Sequence, residues 1–273
     1  MSAITDWKDR VERHHAQSIK AQEQVGDAGD MWRPLAEQFK DDPHRAEDPM
    51  LNRMLQWVTP DQRVLDVGGG AGRYALPLAL HCRHVTVVEP SESMVEALKE
   101  SAEEAGISNI SVVSENWEQA EAAPADLVIC AHVVYGVTEL EAFIRKLESH
   151  ARERVALAAF VESPLAQTAT VWQRVHGEER ILLPALPEII NFLWEMDIYP
   201  DVEMMPPVPP QAVPNREAAE AMLRRWLYVI PGSAEDRRLQ TTLDELLIET
   251  PEGLVVKDAR PRRQGIISWQ PNQ

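Results

Sequence analysis

Cysteine is nearly absent from this chain: Cys82 and Cys130 are the two among 273 residues, too few for a disulfide framework or a cysteine metal cluster. Both are expected to be buried small hydrophobes. No apolar run approaches the roughly 20 residues that span a bilayer. The N-terminus, MSAITDWKDRVERHH, also lacks the apolar core of a signal peptide, so the expectation is a cytoplasmic protein with no membrane segment. Positive charge is scarce as well: 27 Lys and Arg stand against 44 Asp and Glu, a net charge of −17. A phosphate-backbone partner is ordinarily met by a basic footprint, so nucleic acid is disfavoured. His14 and His15 are adjacent on a helical stretch, where neighbours do not share a face, and no metal site is expected.

What is present is an ordinary globular composition, 44% hydrophobic and 26% charged, long enough for one large domain with an added subdomain. Its most patterned stretch is VLDVGGGAGRYALPLA, Val64 to Ala79. Val64, Leu65 and Val67 make a buried strand. Gly68, Gly69, Gly70 and Gly72 allow a sharp turn and a close approach of backbone to a ligand. The helix expected from about Gly72 would then aim its free N–H groups at that ligand. His84 to Glu89, HVTVVE, reads as a second strand ending in an acid, and an ionised carboxylate suits the two hydroxyls of a ribose. Gly70, Gly72 and Ala75 also fit the G-x-G-x-x-A dinucleotide fingerprint, so the glycines alone leave a dehydrogenase open.

Asp66, Gly68, Gly70 and Gly72 have the D-x-G-x-G-x-G spacing, and this stretch resembles the first motif of the class I S-adenosylmethionine-dependent methyltransferases. The resemblance covers about residues 50 to 160. It implies that Asp66 lies near the charged methionine part of S-adenosylmethionine, with Gly68, Gly70 and Gly72 lining the cofactor and Glu89 holding its ribose. It also assigns Asn116, with Glu115 as the alternative, to the adenine amino group, and Trp117 to the side of the base or else to the rim. The apolar strand DLVICA ends at Ala131, assigned to the cofactor. His132 and Tyr135 follow, facing the methyl group and assigned to catalysis. His132 is the candidate general base, since its ordinary pKa is near neutrality; the alternative is that it orients a loop or the cofactor.

The strand and helix pattern predicts a doubly wound α/β, Rossmann-like sheet of seven strands. Residues 1–49 form an N-terminal helical or cap segment and residues 50–273 the methyltransferase domain, with a helical insertion at about 211–250 before the last strand, Gly265 to Trp269. Ser93 with Glu96, and Thr138 with Glu141, have capping-box spacing. Pro206, Pro207, Pro209 and Pro210 are expected to end a sixth strand at Val202 to Met205. Arg174, His176 and Arg180 sit on a stretch that overhangs the acceptor pocket, as substrate ligands or a second base, or as a solvated helix. Arg260, Arg262 and Arg263 read as a solvated turn. The expected activity is direct methyl transfer from S-adenosylmethionine to a small molecule, with S-adenosylhomocysteine as product and a homodimer as the candidate assembly. The alternative is an S-adenosylmethionine-binding protein with a scaffold or regulatory role.

Overall fold

A computed structural model describes residues 2–23, 25, 30, 32–210, 212–257 and 259–271. Gly26 to Gly29 and Met31, in the segment expected to precede the first strand, lie outside them. The frame is a seven-stranded sheet, in spatial order β3-β2-β1-β4-β5-β9-β6. Its strands are β1 Arg63–Val67, β2 His84–Val88, β3 Ile110–Val113, β4 Ala125–Ala131, β5 Ala151–Phe160, β6 Asp201–Val208 and β9 Arg262–Trp269. β1 to β5 are mutually parallel, while β9 runs antiparallel between β5 and β6. The parallel strands are near-continuous Val, Leu, Ile and Ala because both of their faces are covered. The strand order turns back between β1 and β4, which puts the crevice at their carboxyl ends, where ligands bind in such sheets.

On one face pack α2 Pro49–Leu55, α3 Ala75–Ala79 and α4 Glu92–Glu104, around Met50, Met54, Leu76 and Leu98. The other face holds α1 Ala3–Gln22, α5 Leu140–His150 and α7 Leu186–Glu195. The segment 1–49 therefore has no core of its own in α1: Trp7 and Val11 belong to the main cluster, and the Trp7 indole N–H donates to the Val137 carbonyl at 2.8 Å. His14 follows Val11 on the same helical stripe and is 3% exposed, not solvated. It bonds the Ile181 carbonyl through Nδ1 (2.6 Å) and receives Arg180 at Nε2 (2.8 Å). Burial, with Arg180 beside it, pushes this histidine down to about 4, so it stays neutral and accepts.

Several local expectations shift. The first helix turns begin at Gly72 with Leu76 N–H bonding the Gly72 carbonyl, but the regular helix is only Ala75–Ala79, because Pro77 lacks the N–H that would continue the ladder. Ser91, not Ser93, caps α4, accepting from Met94 N–H at 3.2 Å, and Glu139 precedes α5 with no side-chain cap. β6 runs on through Pro206 and Pro207. It is an edge strand paired with β9 alone, and its register slips between Met205 and Val208; at a bulge on an edge the missing N–H groups cost no ladder bonds.

The insertion before the last strand is α8 Arg216–Trp226, α9 Ala234–Leu246 and a hairpin of β7 Leu247–Thr250 with β8 Gly253–Val256. Its helices bury Leu223, Leu227, Leu239 and Leu243 against Val171, Trp172 and Val175 of α6, Ala169–His176. Both cysteines are free and buried, and among the described residues no helix is long and apolar enough to cross a membrane.

Candidate active site

β1 delivers Asp66 to the carboxyl end of the sheet between Val87 and Ile129 of its two neighbours. The side chain is 2% exposed, and its Oδ2 has no hydrogen-bond partner. Burial first, and then the charge of Glu89, push Asp66 up to about 7. A buried carboxylate oxygen without a donor is expensive. Here it marks a place where a cationic or donor group of a ligand fits.

Glu89, one residue past β2, is fixed from both sides: Gly70 N–H donates to Oε2 and Ser91 N–H to Oε1, each at 2.9 Å. Burial raises it despite these bonds. Each oxygen keeps a second lone pair for a hydroxyl. The turn between Asp66 and Glu89 needs glycine for two different reasons. Gly68 has φ +73°, and a Cβ there would strike Val133 of the β4 loop. Gly70 has φ +54° and open space around it, so the backbone there can meet a ligand closely. Gly72 closes the turn, its N–H bonding the Gly69 carbonyl at 2.9 Å.

The acid at position 30 completes this side. Asp30 accepts from Ser91 Oγ (2.9 Å), Ser93 N–H (3.1 Å) and Ser93 Oγ (2.7 Å), which tie the N-terminal segment to the start of α4 beside Glu89. Trp32 and Phe39 pack edge to face, centroids 5.7 Å apart, and remain partly exposed.

β4 ends at Ala131, which is half-buried and paired with Ala158. His132 leaves the strand with φ +62°, a left-handed conformation that a histidine holds only when its surroundings impose it. Three contacts do so. Its N–H bonds the Ala158 carbonyl at 2.8 Å, its ring stacks on Phe160 at 4.3 Å, and Nδ1 lies 3.1 Å from Tyr135 Oη. Tyr135 Oη also accepts the Phe160 N–H at 2.7 Å. A buried phenol must place its own proton, so it donates to His132 Nδ1, leaving His132 with its hydrogen on Nε2. Burial, with Arg73 and Arg262 nearby, pushes His132 down to about 3. Burial also pushes Tyr135 up. In this arrangement His132 is a neutral ring presenting an N–H. Tyr135 is buried, with its oxygen engaged by both the Phe160 N–H and His132.

Two adenine-side expectations part company. Asn116 is exposed at the turn after β3, its carbonyl holding the Gln119 and Ala120 N–H groups. Trp117 is 4% exposed in the core, with its N–H toward the Phe143 carbonyl at 3.4 Å and Lys146 over its ring at 4.6 Å. It is not at a rim, because the apolar indole pays better under α5 than in solvent. Arg174 pairs with Glu245, and His176 Nε2 bonds the Leu227 carbonyl at 2.8 Å. Arg180 is buried on Trp172. All three tie neighbouring segments together. Sequence reasoning missed Asp30, Phe160 and Arg262. For Arg262 a signal existed: extending the last strand back by three residues gives it the inward alternation of Gln264 and Ile266. Two surface clefts, of about 360 and 560 Å³, lie away from Asp66, one at Arg154, Asp201 and Trp269 and one between α1 and α7.

A doubly wound sheet with an acid-bearing glycine loop and a second acid one strand over defines a nucleoside-cofactor-binding α/β domain. Residues 64–154 match the methyltransferase domain family, and they lie in a sheet of Rossmann-like order. A methyltransferase from Geobacter sulfurreducens, solved with S-adenosylhomocysteine, shares the fold at TM-score 0.54 and 16% identity, over 90% of this chain and 99% of that one. The YcgJ protein of Bacillus subtilis does so at TM-score 0.55 and 15% identity, over 82% and 98%. In sequence, a 23S rRNA (uracil(1939)-C(5))-methyltransferase of Klebsiella pneumoniae is 39% identical over 72 residues, 26% of this chain. An uncharacterised protein of Haemophilus influenzae is 26% identical over 166 residues, 60% of this chain. The matches span 17% and 60% of those two relatives.

Proposed function

We propose that this protein transfers a methyl group from S-adenosylmethionine to a small-molecule acceptor. The observation that carries the reading is the buried, unpartnered Asp66 Oδ2 behind the glycine turn, with Glu89 preset by two backbone N–H groups. Asp66 would take the cationic methionine end of the cofactor, Glu89 the ribose hydroxyls, and the Gly68 to Gly72 backbone its length; Ala131 and Asn116 would border it. When bound, S-adenosylmethionine supplies a methyl carbon already activated by its sulfonium. The protein's part is then alignment and exclusion of water. His132, locked by Phe160 and Tyr135, offers an N–H donor to an acceptor oxygen at the end of β4, and it orients that atom without taking its proton.

The rRNA-modifying relative favours an RNA acceptor as a second reading, but its similarity stops within a quarter of this chain, and a net charge of −17 opposes a phosphate backbone. The reading also includes a cytoplasmic setting and a homodimer. The exposed apolar residues Tyr199, Val202 and Met204 near the β6 edge support the latter, which sedimentation tests. Calorimetric titration with S-adenosylmethionine, S-adenosylhomocysteine and NAD tests the cofactor: binding of the first two without the third is expected, and binding of NAD alone sinks the proposal.

A further inference from the structure

Arg262 opens β9 at the end of the sheet where β4 and β5 finish. Its guanidinium carbon lies 4.5 Å from the centre of the Phe160 ring, and that same ring stacks on His132 at 4.3 Å. Arg262 is thus one aromatic ring away from the N–H donor at the end of β4. Among the described residues no carboxylate pairs with it, and its Nε is buried without a hydrogen-bond partner. Burial lowers its proton affinity; the Tyr135 phenol opposes this in part, and Arg73 adds to it. Arg73 has acids of its own, Asp48 at 3.5 Å and Asp41 at 3.8 Å. Arg262 does not.

A second orphan lies at the same end. Ser163 follows β5, is 3% exposed, and its Oγ has no partner. The β5–β9 register runs through Phe160 with Gln264, and Val161 N–H bonds the Arg263 carbonyl at 2.8 Å, so Ser163 and Arg262 leave the sheet as neighbouring strand ends. Three donors without acceptors therefore gather here: the Arg262 guanidinium, the Ser163 hydroxyl and the His132 Nε2–H. A half-buried cation without a counter-ion carries a desolvation cost, and a guanidinium is not relieved by losing its proton. An anionic ligand relieves it, and planar bidentate pairing with a carboxylate or phosphate is what a guanidinium does best.

We propose that the acceptor of this enzyme carries an oxyanion, a carboxylate or phosphate, which Arg262 holds against Phe160 while His132 faces the atom to be methylated. The oxyanion site itself stands on the three donors; that its occupant is the methyl acceptor rests on the methyltransferase reading. In a chain of net charge −17, a single half-buried guanidinium selects one anionic group on a small molecule and gives no stripe for a polymer backbone.

The test is nitrogen NMR of the arginine Nε–H signals in protein saturated with S-adenosylhomocysteine, the Arg262 signal being assigned from its loss in Arg262→Lys. Benzoate, inorganic phosphate and the neutral isostere benzamide are titrated in turn. A saturable shift of that signal with benzoate or phosphate, and at least about tenfold weaker binding in Arg262→Gln, is expected; the anion that responds tells carboxylate from phosphate. Equal response to benzamide, or no saturable shift with either anion, overturns the proposal. Loss of S-adenosylhomocysteine affinity in Arg262→Gln also overturns it, because the arginine would then be reading the cofactor's own carboxylate. Failure of the wild-type protein to bind S-adenosylhomocysteine strikes the methyltransferase reading instead, and the anion titration of the unloaded protein still decides the oxyanion site.

Discussion

Asp66→Asn separates what this residue does for binding from what it costs the fold. The carboxyl is moved from its ordinary 3.8 to about 7, by burial and then by Glu89. At 1.36 kcal/mol per tenfold change in proton affinity, the ionised form costs the folded protein about 4 kcal/mol at pH above 7. The folded state holds the proton more tightly than the unfolded chain. The corresponding stability is therefore fully present below the unfolded value near 4, and it is lost as pH rises toward 7. Asparagine removes the charge, but its amide meets the same donor-free, partnerless pocket at Oδ2, a cost of about 1–3 kcal/mol. The net is a gain of about 1–3 kcal/mol for the cofactor-free protein at pH 8, or several degrees of melting temperature at about 2 °C per kcal/mol for a chain of this size. The gain shrinks as pH falls from 7 toward 4. Cofactor affinity moves the other way, since the variant has no negative charge for the methionine end. Wild-type affinity should likewise fall as pH drops through 7. Thermal melts with and without S-adenosylhomocysteine, at pH 5 to 8, measure both arms. A variant that is less stable at pH 8, or that binds the cofactor as well as wild type, refutes the reasoning.

His132 is held down to about 3, so kcat measured with both substrates saturating should show no acidic limb from it between about pH 5 and pH 8; a limb near pH 6.5 that disappears in His132→Gln would restore it as a base. Tyr135→Phe leaves the Phe160 N–H and His132 Nδ1 without their shared partner and should destabilise the fold by about 1–3 kcal/mol and lower kcat. A loss of stability with unchanged kcat would show that Tyr135 does not position His132. Arg180→Ala removes the guanidinium stacked on Trp172 and bonded to His14 and Ser18. The expected loss is about 2 kcal/mol or more, with cofactor affinity unchanged; an affinity loss would place Arg180 in the site after all.

Local pattern alone was enough for the strand order of events along the chain. Valine-rich runs separated by helices read as central parallel strands, and Asp66 and Glu89 are legible because Asp66 lies one residue before the end of such a run, ahead of the glycines, and Glu89 directly follows one. The first five strands and the two inserted helices follow from the same periodicity, while the last strand is placed through the family resemblance and the β7–β8 hairpin is not foreseen. What the chain could not disclose on its own depends on distant partners. Trp117 looks like a rim aromatic until α5 folds over it, and His14 looks solvated until Arg180, far along the chain, arrives at its Nε2. His132 carries an ordinary histidine's promise of base chemistry in the sequence. Its proton affinity is set first by burial and then by Arg73 and Arg262, which lie far apart in the chain. Residue type and spacing determine which groups stand at the strand ends, because backbone hydrogen bonding fixes them locally. Their charge, tautomer and partners are decided by tertiary contact, because burial and neighbouring charge act through space.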